Sequence, residues 1–153
     1  MTKATTPDNE ARRRWLAVLA RASRPELEKA RLFLEELPPL AHVRPAEAGM
    51  VMLRGRIGGT GDAFNLGEAS VTRCAIRVGS GALGVGYALG RDRRKVELMA
   101  VFDALLQDSQ WHADIMRRVV EPLARQQAAQ QDAAGRAAAA SKVEFFTFVR
   151  GQA

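Results

Sequence analysis

Two strand-like runs separated by a glycine-rich loop constrain this chain more than any other feature. Before the loop, apolar residues recur with strand parity at Val51, Leu53 and Ile57, the periodicity of a strand with one buried face. After the loop, residues 69–78 alternate in the same way. The loop contains Gly58-Gly59-Thr60-Gly61, and glycine readily adopts the backbone angles that hairpin loops require. The stretch therefore predicts a β-hairpin.

Each predicted strand carries two arginines on the face opposite its apolar side chains. Arg54 and Arg56 share one parity before the loop, and Arg73 and Arg77 share one parity after it. If the strands are neighbours, the four guanidiniums form one cluster, which suits carboxylates or phosphates because each guanidinium is a planar fork of donors. Backbone N–H groups of the Gly58–Gly61 loop offer an anion nest, although hairpin geometry alone explains the glycines. A solvated basic face is the other interpretation of the arginines.

The whole chain predicts an α+β fold, in which an antiparallel sheet of about four strands lies between N-terminal and C-terminal helices. Helical periodicity precedes residue 38 and resumes at Asp92, and the short connections between strands favour an antiparallel meander. The predicted strands are residues 40–44, 50–57, 69–78 and 82–90. In the last strand, glycine or alanine occupies every second position, which predicts that a helix or another backbone approaches that face closely.

The C-terminal part has a different pattern. Residues 123–140 are rich in alanine, glutamine and arginine, which predicts a helix that buries little surface. Three phenylalanines, Phe145, Phe146 and Phe148, follow in a segment that is apolar on both parities, so they need burial either in this domain or against another chain. The predicted organisation is a disordered N-terminus at 1–8, an α+β domain at 9–122, and a helical arm with a Phe-rich docking tail at 123–153.

Composition narrows the class of function. The 153 residues include 23 basic and 17 acidic side chains, a net charge of +6, which favours an anionic or acidic partner. Aromatic residues are 6% of the chain, too few for the interleaved aromatics that single-stranded nucleic-acid binding favours.

Candidate catalytic and metal-binding residues are sparse. His42 and His112 lie far apart, and the single cysteine, Cys74, falls on the apolar face of a strand, so we predict no metal site and an inert, buried thiol. No nucleophile–base pair stands out, which disfavours a free-standing enzyme acting on a phosphate ester. No apolar run is long enough to span a membrane, and we expect a cytoplasmic protein.

A combination of motifs resembles one protein family. The motifs are Arg56-Ile57-Gly58-Gly59-Thr60-Gly61, Gly67-Glu68-Ala69, Thr72-Arg73, Gly90-Arg91-Asp92 and the C-terminal run from Val143 to Gly151. Together they closely resemble the PhnG family, one of the component families of the bacterial carbon–phosphorus lyase core complex, over nearly the whole chain.

The resemblance implies a non-catalytic, accessory subunit that works with subunits H, I and J, with K and L as further candidates. The complex is expected to form ribose 1-methylphosphonate 5-triphosphate and adenine from MgATP and methylphosphonate. MgATP is then a substrate of the complex, no cofactor belongs to this chain, and the isolated chain is expected to be inactive. No catalytic residue carries over from the family. A basic nucleic-acid-binding domain is the alternative, and a steep loss of binding with salt would favour it.

Overall fold

Two capped helices begin the fold in the computed structural model, which describes residues 8–143. Helix α1 (Asn9–Arg21) follows the N-cap Asp8. Helix α2 (Arg24–Arg31) begins with a capping box, in which Ser23 N donates to Glu26 Oε2 at 2.8 Å and Glu26 N donates to Ser23 Oγ at 3.4 Å. This reciprocal pair satisfies two backbone donors that a helix start leaves free. Both predicted N-terminal helices are confirmed.

The sheet in the described part of the chain has three antiparallel strands, β1 (Leu40–Arg56), β2 (Ala63–Val78) and β3 (Leu83–Leu89), in the order β1-β2-β3. The α+β class and the antiparallel meander are confirmed. The sheet has three strands instead of about four because the first two predicted strands are one. Pro45 falls within a register irregularity between Arg44 and Glu47, where its missing N–H costs no regular ladder bond.

Strands β1 and β2 continue past the end of β3 as a two-stranded ribbon. Strand β3 pairs with β2 only from Val71 to Arg77, so residues 50–70 project beyond the third strand; we call them the hairpin arm. From Ser70 to Ala63 the arm extends roughly 23 Å at strand rise per residue. Its tip is a short 3-10 turn at Ile57–Gly59, where two glycines have positive φ angles. The predicted hairpin is confirmed.

The core lies between the sheet and the central helix α3 (Arg93–Leu106). The predicted helix start at Asp92 is confirmed, because the Asp92 carboxylate caps the helix and accepts a hydrogen bond from Lys95 N at 3.0 Å. Helix α3 packs closely on β3, where a Cβ atom added at Gly84 or Gly86 would collide with carbonyl oxygens of α3. The bare face of the last strand therefore admits the helix, as the sequence predicted. The largest fully buried side chains include Trp15, Leu19, Leu27, Ile76, Leu98, Met99, Phe102, Leu105 and Leu106.

The remaining helices begin with α4 (Ser109–Ile115), whose N-cap is Asp108. A π-helical turn at Met116–Val120 leads into α5 (Glu121–Ala140). Pro122 stands in the first turn of α5, directly after the π-helical turn, so the change of helix type falls where the proline lacks an N–H donor.

Only the first part of α5 packs on the domain. Leu123 is buried, and Gln127 Nε2 donates to Val18 O of α1 at 2.9 Å. Residues 128–140 are exposed, and we call this exposed section the α5 arm. Phe145, Phe146 and Phe148 lie outside the described residues, so the docking tail stays a prediction. No helix between residues 8 and 143 has the length and apolar character needed to cross a membrane.

Candidate functional site

The register of the hairpin places the four candidate arginines on two different faces. Arg73 lies opposite Glu47, and Arg54 lies seven residues further along the same strand as Glu47, opposite Asn65. Because side chains alternate along a strand, Arg54 and Arg56 lie on the opposite face from Arg73 and Arg77. The expected cluster of four guanidiniums is therefore wrong, although the strands are neighbours as expected.

Arg73 is already paired within the chain. Its Nε donates to Glu47 Oε1 at 2.8 Å, and Arg44 Nη1 donates to the same oxygen at 3.0 Å. The hydrogen bond from Arg73 is the main cause that lowers the pKa of Glu47 below its ordinary value. Arg77 Nη1 donates to Gly81 O at 3.0 Å. This face therefore carries an Arg–Glu–Arg group with one net positive charge, exposed to solvent.

Internal hydrogen bonds account for the geometry of the glycine loop. Gly61 N donates to Ile57 O at 3.2 Å, and Arg56 Nη1 donates to Gly61 O at 3.3 Å. The positive φ angles of Gly58 (63°) and Gly59 (77°) lie in the region that only glycine adopts readily. These glycines are needed for the turn, and anion binding by the loop, Thr60 included, stays a prediction.

Large apolar side chains are exposed on both faces of the hairpin arm. Met50 and Met52 share the face that continues the α3 side of the sheet, whereas Leu53 and Phe64 lie on the other face. At the tip, Ile57 is 76% exposed. A ribbon that is apolar on both faces and covered on neither by the described part of the chain is a candidate interaction surface.

Sequence reasoning missed this surface because it assigned the apolar residues of the hairpin to one buried face. The signal was present: between Met50 and Ile57 large apolar residues occur at both parities. A strand buried in a domain with one solvated face shows alternation, whereas apolar residues on both parities indicate that both faces are covered. In this arm only another chain, or residues outside the described range, can provide that cover.

Two hollows lie at the base of the arm, one on each face. The first, about 300 Å³, lies beside the exposed ring of Tyr87 and is flanked by Glu47 and Arg73. The second, about 410 Å³, lies between β1 and the start of α3 and is lined by Ala48, Gly49, Met50, Arg91 and Arg93. The second hollow combines an apolar floor with two guanidinium-bearing residues, so it suits a ligand surface that carries both apolar and acidic groups.

The basic first turn of α3 has a partial explanation in the chain itself. Arg94 Nε donates to Glu28 Oε1 at 2.8 Å, and Lys95 Nζ donates to Ala20 O, near the C-terminus of α1, at 2.7 Å. Burial lowers the pKa of Lys95, while the carbonyl end of α1 favours its charge. Arg93 makes no salt bridge within residues 8–143, so its charge remains available to a partner.

A buried polar network that the sequence analysis missed joins α1, β3 and α3. The Asp103 carboxylate is fully buried and accepts from Arg12 Nη2 at 2.7 Å, Trp15 Nε1 at 2.8 Å and Val85 N at 2.9 Å. Gln107 Nε2 and Arg12 Nη2 also donate to Leu83 O. Arg12 is thus half-buried, although a run of three arginines such as residues 12–14 is usually solvated. The available signal was a lone carboxylate inside the apolar run Leu98–Leu106.

The sequence of this chain is similar to known proteins. The family model described as "Phosphonate metabolism protein PhnG" matches residues 10–151. A protein of Rhizobium meliloti (strain 1021), named alpha-D-ribose 1-methylphosphonate 5-triphosphate synthase subunit PhnG, is 43% identical over 159 aligned residues, which cover 99% of both chains. The chain belongs to the PhnG family. The match includes the hairpin arm, α3 and the whole of α5, so those elements are part of what defines this PhnG-family chain.

The described part of this PhnG-family chain offers little for chemistry. Among residues 8–143 no group of three His, Cys, Asp or Glu side chains is placed to hold a metal ion. Cys74 is buried, and burial raises the pKa of its thiol to about 11. His42 Nε2 lies 3.9 Å from Glu97 Oε1 at the edge of the sheet, where it helps to join β1 to α3. The surface features of the arm are therefore the better guide to function.

Proposed function

We propose that this chain is a non-catalytic, accessory subunit of a ribose 1-methylphosphonate 5-triphosphate synthase within the carbon–phosphorus lyase complex. The observation that carries the proposal is the 43% identity, over 99% of both chains, to a protein named as the PhnG subunit of that synthase. An alignment that covers 99% of both chains favours the same assembly role, because it spans the exposed arms as well as the core.

The surface of the chain supports a role that depends on partners. The hairpin arm exposes apolar side chains on both faces, and the α5 arm extends from the domain without packing on it. The one fully buried carboxylate of the described residues, Asp103, accepts hydrogen bonds from its own chain. We propose subunits H, I and J as the partners, with K and L as further candidates, in the cytoplasm.

The reaction proposed for the complex uses MgATP and methylphosphonate and releases adenine. In the product, an oxygen of the phosphonate is bonded to C1 of the ribose and the triphosphate remains at C5. The bond that breaks is therefore the one between C1 and adenine. We propose that this chain binds neither cofactor nor nucleic acid and organises the partners that hold the substrates. Two of its arginines, Arg12 and Arg94, form ion pairs within the chain, which lowers the charge available to nucleic acid.

The test is adenine release from MgATP and methylphosphonate, measured by chromatography. The chain alone should release no more adenine than a protein-free control, whereas the complex purified after co-expression with its partner subunits should release it steadily. The same co-expression without this chain should lose both assembly and activity. Steady release by the chain alone, or full activity of the partners without it, would refute the accessory role.

We also propose that Arg56 and Arg73 contribute to a partner interface through charge-assisted hydrogen bonds to carboxylates or carbonyls. Replacement of Arg73 with alanine should weaken assembly, because it removes the guanidinium and leaves Glu47 paired with Arg44 alone. Arg13→Ala is the matched control, since Arg13 is exposed on α1; Arg12 is unsuitable because it supports Asp103. Equal partner affinity of the two variants at matched salt would leave only a solvated basic face.

A further inference from the structure

The hairpin arm and the α5 arm project from the same end of the molecule. Helices α1 and α3 run in opposite directions, because Arg12 contacts Asp103 at one end and Ala20 contacts Lys95 at the other. Helix α5 continues in the same direction as α1, because His112 of the preceding helix α4 contacts Trp15, whereas Gln127 of α5 lies beside Val18, nearer the end of α1. The α5 arm therefore continues past the end of the domain at which α3 begins.

The base of the hairpin arm is at that same end. Gly90, which follows β3 and precedes α3, donates from its N–H to Ser70 O at 2.8 Å, and Thr72 Oγ1 donates to Gly90 O at 2.7 Å. From this junction the hairpin arm extends roughly 23 Å at strand rise. The α5 arm extends about 20 Å at helical rise from Gln127 to Ala140. One arm belongs to the sheet layer and the other to the helical layer.

We propose that the space between the two arms, which we call the cleft, seats one partner protein whose surface is apolar and acidic. This inference rests on the proposed function and adds to it the place and chemistry of the contact. Met50 and Met52, on the α3 side of the arm, form its apolar wall, and each is more than half exposed. Arg91 and Arg93 form its basic floor.

The chemistry of the cleft selects its occupant. A second copy of this chain carries the same net charge of +6, so a basic floor would meet another basic protein. A nucleic acid would satisfy the arginines but would leave the methionines and the other apolar side chains of the arm without apolar contacts. A protein with an apolar patch flanked by carboxylates satisfies both, and charge complementarity of this kind sets partner choice and register.

Photo-crosslinking in the assembled complex tests the cleft. The photoreactive residue p-benzoylphenylalanine is placed at Met52 in the hairpin arm, at Ala133 in the α5 arm, and at the control position Leu32, which is 80% exposed near the end of α2. The full chain is co-expressed with the partner subunits, irradiated and analysed by mass spectrometry. Met52 and Ala133 should both crosslink to the same partner subunit, and Leu32 should not crosslink to that subunit.

Introducing a negative charge on either wall or floor of the cleft gives a second test, in which the affinity for the partner subunit is measured. Met52→Glu and Arg93→Glu should each weaken affinity for that subunit by roughly tenfold or more. Each substitution places a carboxylate in a desolvated contact, where it repels the acidic groups of the partner. Arg13→Glu, at the opposite end of α1, should leave affinity within about twofold. All three positions lie outside the core, so unchanged thermal unfolding of the free chain confirms that the variants fold.

The outcomes separate this inference from the proposed function. If the wild-type chain purifies without partners, the proposed function fails and the cleft fails with it. If the complex forms but the two arms crosslink to different subunits, to RNA, to a second copy or to residues 144–153 of the same chain, only the cleft is refuted. Unchanged affinity of both Met52→Glu and Arg93→Glu refutes it as well.

Discussion

At the scale of single residues, Asp103 satisfies polar groups that belong to the outer edge of β3. Its carboxylate accepts from Val85 N, while Arg12 and Gln107, which also contact it, donate to Leu83 O. These backbone groups face away from β2 and would otherwise leave a sheet edge ready to pair with another strand. The network therefore closes one edge of the sheet and fixes α1 against it.

Removal of this carboxylate should be costly. Asp103→Ala leaves Arg12, Trp15 and Val85 without their buried acceptor, so the free energy of unfolding should fall by about 3–5 kcal/mol, the usual effect of removing one partner of a buried ion pair. Urea denaturation measures the loss. Arg13→Ala, one residue from Arg12 but exposed, should change stability by less than about 0.5 kcal/mol. Equal midpoints for the two variants would contradict the assigned role.

Cys74 should be nearly inert in the folded chain. Its pKa of about 11 leaves roughly one thiolate per thousand molecules at pH 8, against roughly one in four for an ordinary cysteine. Ellman's reagent should therefore react slowly with native protein and rapidly in urea. Because the folded state disfavours the thiolate, the stability contributed by the neutral thiol is present below pH 8.5 and should be lost as the pH rises toward 11. A fast native reaction would show that the thiol is accessible.

At the scale of elements, local patterns predicted most of the fold, and register decided the rest. The helix starts at Ser23 and Asp92 follow from side chains that cap their own helices, so the sequence alone locates them. The faces of Arg54 and Arg73 relative to each other depend on which residue pairs with which across the hairpin. Strand periodicity carries no information on that pairing. The long-range contact between Asp103 and Arg12 was hidden for the same reason.

The contact between β3 and α3 depends on two glycines. A methyl group at Gly84 or Gly86 would collide with backbone carbonyls of α3, and neither backbone can move without opening the core. Gly84→Ala or Gly86→Ala should therefore destabilise the protein by about 1–3 kcal/mol, the usual cost of overpacking. Gly49→Ala is the matched strand control, because open space surrounds that position. Thermal unfolding measures the stability of the three variants. Equal losses of stability at all three positions would contradict the close approach of β3 and α3.

At the scale of the whole molecule, a stable core is joined to two arms that contribute little to it. Among residues 8–143, the buried residues come from α1, α2, the paired part of the sheet, α3, α4, the π-helical turn and the start of α5. The hairpin arm and the α5 arm contribute none of them, so their sequences are free to serve contacts with other chains. The candidate site could be located from the sequence at the hairpin, but its exposed apolar faces depend on where β3 ends.

This separation predicts that assembly and folding respond differently to truncation. Deletion of residues 141–153 removes Phe145, Phe146 and Phe148, each of which contributes roughly 1.5–3 kcal/mol when buried in an interface. Affinity for the partner subunits should fall, while the thermal unfolding of the free chain should change little. A full-length variant with the three phenylalanines replaced by serine should behave like the deletion. If either variant joins the complex with unchanged affinity, the tail is not a docking element.

The uncovered hairpin arm also bears on how a cell must supply this protein. In a copy that has not met its partners, no strand among residues 8–143 pairs with the free edge of β1, and apolar side chains are exposed on both faces of the ribbon, a combination that templates aggregation. Surplus chains would be held by chaperones or removed by proteases. Synthesis in step with the partners, as from a shared transcript, avoids that surplus. The exposed hairpin arm thus favours synthesis of this chain and its partner subunits in matched amounts.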